Sequence, residues 1–97
     1  MMKRQGDLLI VKVPGIPAEA VPKKSKVLAE GEVTGHFHKL DSGEVYEKNG
    51  TLYFKVDKNS TTALEHPEHK TLNFDPGAYK VIRQREYAPE GWRFVND

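Results

Sequence analysis

The chain has 97 residues, a length that suits one small domain and is too short for a two-domain enzyme. Hydrophobic residues make up 37% of it and charged residues 30%, yet aromatic and β-branched residues recur throughout, so we expect a thin core and not a disordered chain. The net charge of +1 gives no strong field toward nucleic acid or an anionic membrane, and the absence of cysteine excludes disulfides, thiolate metal sites and a cysteine nucleophile.

The first 40 residues are predicted to contain a buried strand, a stiff connection and a second extended segment. The apolar run near the start is too short for an export signal or a membrane span, so we expect a cytoplasmic protein without membrane contact. Residues 8–13, LLIVKV, are typical of a central strand. Residues 14–22 contain three prolines, which lack a backbone donor, so no strand pairing is expected there. Residues 27–40 predict one long or bent extended segment, in which two glycines favour a bulge or bend.

The clearest element is a β-hairpin in the middle of the chain. Asn49-Gly50 separates two alternating runs, 44–48 and 51–56. Both residues tolerate the positive φ of a type I′ turn, which makes this dipeptide the strongest short-range hairpin signal. The two-residue loop predicts a register that pairs Glu44 with Lys55, Val45 with Phe54 and Tyr46 with Tyr53.

Further strands are predicted at residues 61–64, 70–74, 78–87 and 92–95, with 78–87 the longest. No segment longer than eight residues has the apolar spacing of a helix without an interrupting Gly or Pro. Short strands at intervals of about 8–12 residues are typical of antiparallel β proteins. The fold prediction is therefore a single all-β domain over residues 1–97, a small antiparallel β-barrel or β-sandwich with little or no helix.

The four histidines occur as two close pairs, His36 with His38 and His66 with His69. In a strand, residues two apart project from one face with Cα atoms about 6.6–7 Å apart, and two such imidazoles can converge on one ion. The sequence therefore predicts a divalent transition metal (Zn, Mn, Fe or Ni) bound by His36 and His38 together with His66, His69 or both. Three histidines plus water would leave an open, catalytic position, whereas four would close a structural site. The alternative is that the histidines are incidental.

One stretch of the chain resembles the first motif of the cupin β-barrel superfamily. That motif places a glycine before His-x-His, followed by a glutamate and a glycine, and the order is met here by Gly31, His36, His38, Glu44 and Gly50. The resemblance implies iron, manganese or nickel serving oxygenase or isomerase chemistry. The chain departs from the second cupin motif, because its Pro-Gly turn follows the last histidine instead of preceding it.

A second resemblance runs across nearly the full chain. It is carried by RQGDLLI at 4–10, LAEGEVTGHFH at 28–38, HPEH at 66–69 and PGAYKV with RQREY within 76–87. These segments are similar to a family of small uncharacterised proteins from bacteria and their phages, for which no activity is established. The resemblance implies that the four histidines and the RQREY segment belong to the family's pattern, and that the chain has a phage or mobile-element origin.

The last long strand supplies further site candidates. On one strand over 78–87, Arg83, Arg85 and Tyr87 share a face, and two arginines there can form forked hydrogen bonds to the phosphate or carboxylate of a small anionic ligand. If a metal activates water, Glu68 can act as general base while an arginine neutralises the developing negative charge. The first functional hypothesis is therefore a small metal-binding β protein of unknown substrate. With an open coordination position it would be a metal-dependent hydrolase encoded by a phage or mobile element.

Two other functions stay open, and whether the protein is an enzyme is left undecided. The second hypothesis is a non-enzymatic protein-interaction module, a phage accessory or host-takeover protein, in which the histidines are structural. A third, weaker hypothesis is a nucleic-acid-binding β-barrel with steep salt dependence. Its basic residues would be Lys23, Lys24, Lys26, Arg83 and Arg85. Against it, the three lysines are also typical of a solvated turn. Edge strands in so short a β chain also make a homodimer an option.

Overall fold

The computed structural model describes residues 2–30 and 36–83, and this part of the chain folds into strands joined by turns. The strands are β1 (Met2–Gln5), β2 (Leu8–Val13), β3 (Val21–Lys23), β4 (Val27–Glu30), β5 (Phe37–Leu40), β6 (Glu44–Lys48), β7 (Thr51–Val56), β8 (Thr62–His66), β9 (His69–Phe74) and β10 (Gly77–Arg83). The described residues form no helix, and hence none that could cross a membrane. The all-β prediction is confirmed.

The strands form two antiparallel sheets. The larger sheet has the order β1-β2-β10-β7-β6-β3, and the smaller has the order β4-β5-β8-β9. Four pairs of strands that follow each other in the chain are antiparallel partners: β1–β2, β4–β5, β6–β7 and β8–β9. Across the described residues the sheets do not close into a barrel. Of the two predicted architectures, the closed barrel is therefore not adopted.

One core joins the two sheets. Phe54 and Tyr79 of the larger sheet contact Phe74 of the smaller sheet, with ring centroids 5.0–5.3 Å apart within this group. Each fully buried side chain of this size stabilises the fold by roughly 1.5–3 kcal/mol. The cluster of buried apolar residues consists of Leu8, Ile10, Leu28, Ala29, Leu40, Val45, Phe54, Val56, Leu64, Phe74, Tyr79 and Val81. The core is thin but continuous, and it contains residues of both sheets.

The β6–β7 hairpin confirms the prediction from Asn49-Gly50. Both turn residues have positive φ, 52° at Asn49 and 82° at Gly50, as a type I′ turn requires. The observed register pairs Glu44 with Lys55, Val45 with Phe54 and Tyr46 with Tyr53. Local turn chemistry and the alternation of the strands therefore sufficed to place this element.

Residues 27–40 do not form the single extended segment that was predicted. β4 and β5 are antiparallel partners, with Ala29 opposite His38 and Glu30 opposite Phe37, so the chain reverses direction between them. Residues 31–35 lie outside the described residues. The prediction was wrong because alternating polarity does not distinguish one long strand from two short strands of a hairpin.

Three other elements differ from expectation. Pro22 pairs with Tyr46 within β3, where no pairing was expected. All of β3 is exposed at the edge of the larger sheet, and an edge strand tolerates the missing proline donor. β1 was not predicted at all. β10 is the longest strand in the described part of the chain, and the rest of the predicted 78–87 strand and the strand at 92–95 lie outside it.

Candidate functional site

All four histidines of the chain lie together beside the β8–β9 turn. His66 ends β8 and His69 begins β9, and the two residues face each other across the turn. β5 runs beside β8 and brings His38 to the same place, with His36 just before it. Ring centroids are separated by 4.4 Å for His38–His66, 4.6 Å for His66–His69, and 5.9 Å for both His38–His69 and His36–His66. We call these four residues the histidine cluster.

The turn between β1 and β2 lies against the histidine cluster. Gly6 has a φ of +60°, and a Cβ at this position would lie 2.9 Å from His69 Nε2 and 3.2 Å from His38 Cε1. Both distances are shorter than ordinary van der Waals contact, so a side chain here would displace an imidazole. Lys3 Nζ donates a hydrogen bond to the carbonyl oxygen of Asn73 at 2.5 Å, which ties β1 to β9. The larger sheet therefore closes one side of the cluster.

Gln5 connects His38 to the backbone of the smaller sheet. Both side chains are buried, with relative exposures of 2% for Gln5 and 1% for His38. Gln5 Nε2 donates to the carbonyl oxygens of Leu64 and Lys70, each at 2.9 Å, and Gln5 Oε1 lies 2.8 Å from His38 Nδ1. These bonds satisfy the buried amide and fix the orientation of the imidazole, as the supporting partners of metal-bound histidines do.

Asp7 and Arg83 lie on the opposite side of the His38 ring. His38 Nε2 is 3.7 Å from Asp7 Oδ1, and Arg83 Nη2 is 3.5 Å from Asp7 Oδ2. Burial lowers the pKa of His38 from about 6.5 to about 4, and repulsion from the protonated form of His66 acts in the same direction, whereas the Asp7 carboxylate opposes the shift. His38 is therefore neutral at pH 7, and one of its ring nitrogens carries a lone pair.

His66 is connected to the turn that follows it. Its Nδ1 accepts a hydrogen bond from the backbone N–H of Glu68 at 3.0 Å. Burial lowers the pKa of His66, and repulsion from the protonated forms of His69 and His36 adds to the effect. The Glu68 carboxylate has an exposure of 58% and places Oε2 3.4 Å from His36 Nδ1. Glu68 thus puts a solvent-accessible base at the rim of the histidine cluster.

The ring separations in the histidine cluster can be compared with those of a metal centre. Tetrahedral ligation with bonds of about 2.0–2.1 Å would place imidazole centroids about 5 Å apart. The observed distances of 4.4–5.9 Å lie on both sides of that value. However, among residues 2–30 and 36–83 no group of three or more histidine or acidic side chains has the arrangement needed to hold a metal ion. Metal binding here therefore requires imidazole rotation, which is easiest for the exposed His69.

Other residues proposed from the sequence fall in different places. Arg83 adjoins the cluster through Asp7, whereas Arg85 and Tyr87 lie outside the described residues. Lys23 forms an ion pair with Glu47 at 3.0 Å in the larger sheet. The glutamate of the cupin-like order, Glu44, accepts a hydrogen bond from the Tyr46 hydroxyl at 2.7 Å on β6.

Sequence reasoning missed three residues that contact the cluster: Gln5, Gly6 and Asp7. Gly6-Asp7, directly before the apolar run at 8–13, is a turn signal, and it would have placed a turn ahead of that strand. It gives no sign that this turn meets histidines more than thirty residues away in the chain, because that contact arises only from the packing of the two sheets.

Comparison with known proteins gives a family but no activity. Residues 4–84 match the family described as "Domain of unknown function (DUF8820)". The matched span contains the whole histidine cluster together with Gln5, Asp7 and Arg83. Neither a curated protein nor a solved structure matches the chain.

Proposed function

We propose that this chain, which belongs to the DUF8820 family, binds a divalent transition metal at the histidine cluster. The observation that carries the proposal is the convergence of all four histidines, from two distant parts of the sequence, to ring-centroid distances of 4.4–5.9 Å. Imidazole nitrogen is a preferred ligand of zinc, iron and nickel. The chain contains no cysteine and no other histidine, so no second site of this ligand type exists in the sequence.

Two features of the surroundings support metal binding. His38 has a buried amide partner at Nδ1, which is the common arrangement of metal-bound histidines. Its other nitrogen faces the Asp7 carboxylate at 3.7 Å. With His38 neutral, two Lewis bases face each other there, and a divalent cation would attract both of them. Asp7 is therefore a candidate oxygen ligand beside the imidazoles.

The test is metal content of tag-free protein, measured by elemental analysis after dialysis and by titration with zinc, manganese, iron and nickel. We expect about one metal ion per chain. The double variant His36→Ala/His69→Ala suits the test. His36 is half-buried and His69 is exposed, so neither substitution removes a core side chain. It should lose at least about 100-fold in affinity with an unchanged circular dichroism spectrum, whereas the exposed neighbour Lys70→Ala should bind as the wild type does.

Wild-type protein that binds none of the four metals would overturn the proposal. A double variant that binds metal with the affinity of the wild type would overturn it too. In that case the histidines are structural, and the protein-interaction hypothesis takes precedence. Steep salt dependence of binding to DNA or RNA would instead favour the nucleic-acid hypothesis.

Hydrolysis is the reaction that the groups around such a metal suit best. A bound metal would supply an activated water. Glu68, whose exposed carboxylate lies at the rim, would be the base, and Arg83, which contacts Asp7, would neutralise an anionic transition state. Metal-loaded protein should hydrolyse members of a chromogenic ester and phosphoester panel. Glu68→Gln should reduce turnover by about 100-fold or more, while Glu65→Gln on the exposed face of β8 should not. Equal rates for the two variants would exclude Glu68 as the base.

A further inference from the structure

The orientation of the Gln5 amide determines which nitrogen of His38 carries the proton. Gln5 Nε2 lies 2.9 Å from two backbone carbonyl oxygens, those of Leu64 and Lys70. A carbonyl oxygen only accepts, so the NH2 group must face these two atoms and Oε1 must face His38. Gln5 Oε1 also only accepts, and it lies 2.8 Å from His38 Nδ1. The His38 proton must therefore sit on Nδ1, which leaves the lone pair on Nε2.

The backbone after His66 imposes the opposite arrangement on that ring. The Glu68 backbone nitrogen lies 3.0 Å from His66 Nδ1. A backbone N–H only donates, so His66 Nδ1 must present its lone pair. In the neutral ring the proton then sits on Nε2. The position of the Glu68 N–H is fixed by the tight turn between β8 and β9, in which His66 and His69 face each other.

We infer that the two neighbouring imidazoles of His38 and His66 are held in opposite tautomers, with Gln5 as the positioning residue for His38 and the Glu68 backbone amide for His66. Their ring centroids are 4.4 Å apart, and Nε2 carries the lone pair in His38 but the proton in His66. His38 Nε2 points toward the Asp7 carboxylate. The cluster is thus asymmetric, although its sequence is two simple histidine pairs.

This asymmetry assigns unequal roles in metal binding, a step that rests on the proposed function. His38 can ligate through Nε2 in the tautomer that Gln5 imposes. His66 can ligate only if it gives up the hydrogen bond from Glu68, because binding through Nε2 would move the ring proton to Nδ1 and binding through Nδ1 would use the lone pair that accepts this bond. His38 is therefore a primary ligand, and His66 contributes less to affinity.

The test of the tautomers uses metal-free wild-type protein at pH 7.5 and long-range ¹H–¹⁵N correlation spectra of the imidazole rings. We expect a protonated Nδ1 and an unprotonated Nε2 for His38, and the reverse for His66. A His38 ring protonated at Nε2, or a His66 ring protonated at Nδ1, would overturn the inference. No substitution is needed, so the result does not depend on the folding of a variant.

Gln5→Met tests the role of the amide itself. Methionine keeps the length and burial of the side chain but removes the acceptor for His38. We expect both His38 tautomers to become populated, while His66 keeps its Nε2 proton because its partner is a backbone amide. A pure Nδ1–H tautomer of His38 in the folded variant would show that Gln5 does not determine it. If the variant does not fold, the wild-type spectrum still decides the tautomers.

Zinc titration separates this inference from the proposed function. Gln5→Met should lower affinity by about 10–100-fold, the usual effect of removing such a partner. His38→Gln should cost at least tenfold more affinity than His66→Gln. Equal losses, or the larger loss at His66, would overturn the assignment of roles. Wild-type protein that binds no zinc would overturn the proposed function, while the tautomers would still be decided by the spectrum.

Discussion

At Gly6 the backbone of the larger sheet lies close to the histidine cluster, because a Cβ there would be 2.9 Å from His69 Nε2. The φ of +60° at Gly6 alone makes another residue costly, by about 1–2 kcal/mol. Gly50 has a similar φ of +82°, but a Cβ there would meet nothing within 4 Å. The two positions therefore share the backbone cost, and a Cβ would contact His69 and His38 only at Gly6. This difference allows the role of the β1–β2 turn to be measured.

We predict that Gly6→Ala and Gly50→Ala both lower the free energy of unfolding by about 1–2 kcal/mol in urea titrations. Only Gly6→Ala should also lower zinc affinity, by tenfold or more. The new Cβ would lie 2.9 Å from His69 Nε2, which is too close, so the His69 ring would have to move. If both variants bind zinc as the wild type does, the turn has no part in shaping the site. Equal losses of affinity would show that the effect comes from general destabilisation.

The elements that the sequence predicted well are those with local causes. The β6–β7 hairpin follows from Asn49-Gly50, and its register follows from the length of the loop. The strand at Leu8–Val13 and the absence of helix in the described residues follow from composition and spacing. Each of these signals lies within about ten residues of the structure that it specifies.

The elements that were missed depend on contacts between distant segments. β3 contains Pro22 and becomes a strand only because β6 supplies an edge beside it. β4 and β5 were predicted as one extended segment, because the alternation of polar and apolar residues does not show where the chain reverses direction. Likewise, the His-x-His spacing predicted two imidazoles on one face, but the approach of Gln5 and Asp7 to that face depends on how the sheets pack.

At the scale of the whole molecule, the histidine cluster connects the two sheets. Gln5 and Asp7 belong to the larger sheet or its turn, and both contact His38 of the smaller sheet. The apolar core makes a second connection through Phe54, Phe74 and Tyr79. Protonation of a buried ring between the sheets should therefore affect global stability and not only local structure.

The sign of that effect follows from the pKa of His38. Its folded-state pKa of about 4 lies below the ordinary value of 6.5, so between these values the unfolded chain binds a proton that the folded chain does not. Stability is then complete above about pH 6.5 and decreases as the pH falls toward 4, by about 1.4 kcal/mol per pH unit. The pKa of His66 is also lowered, so its contribution has the same sign.

We predict that metal-free protein loses roughly 3 kcal/mol of its free energy of unfolding between pH 6.5 and pH 4 through His38, measured by urea titration at half-unit intervals. Because carboxylates also titrate near the lower limit, the decisive quantity is the difference between wild type and His38→Gln. The variant keeps a polar side chain beside Gln5 but cannot take up the proton, so its pH slope should be shallower by close to one proton. Parallel slopes for the two proteins would show that His38 is not buried as a neutral ring. A wild type that becomes more stable in acid would show that Asp7 outweighs burial, since that carboxylate is the group that favours the charged imidazole.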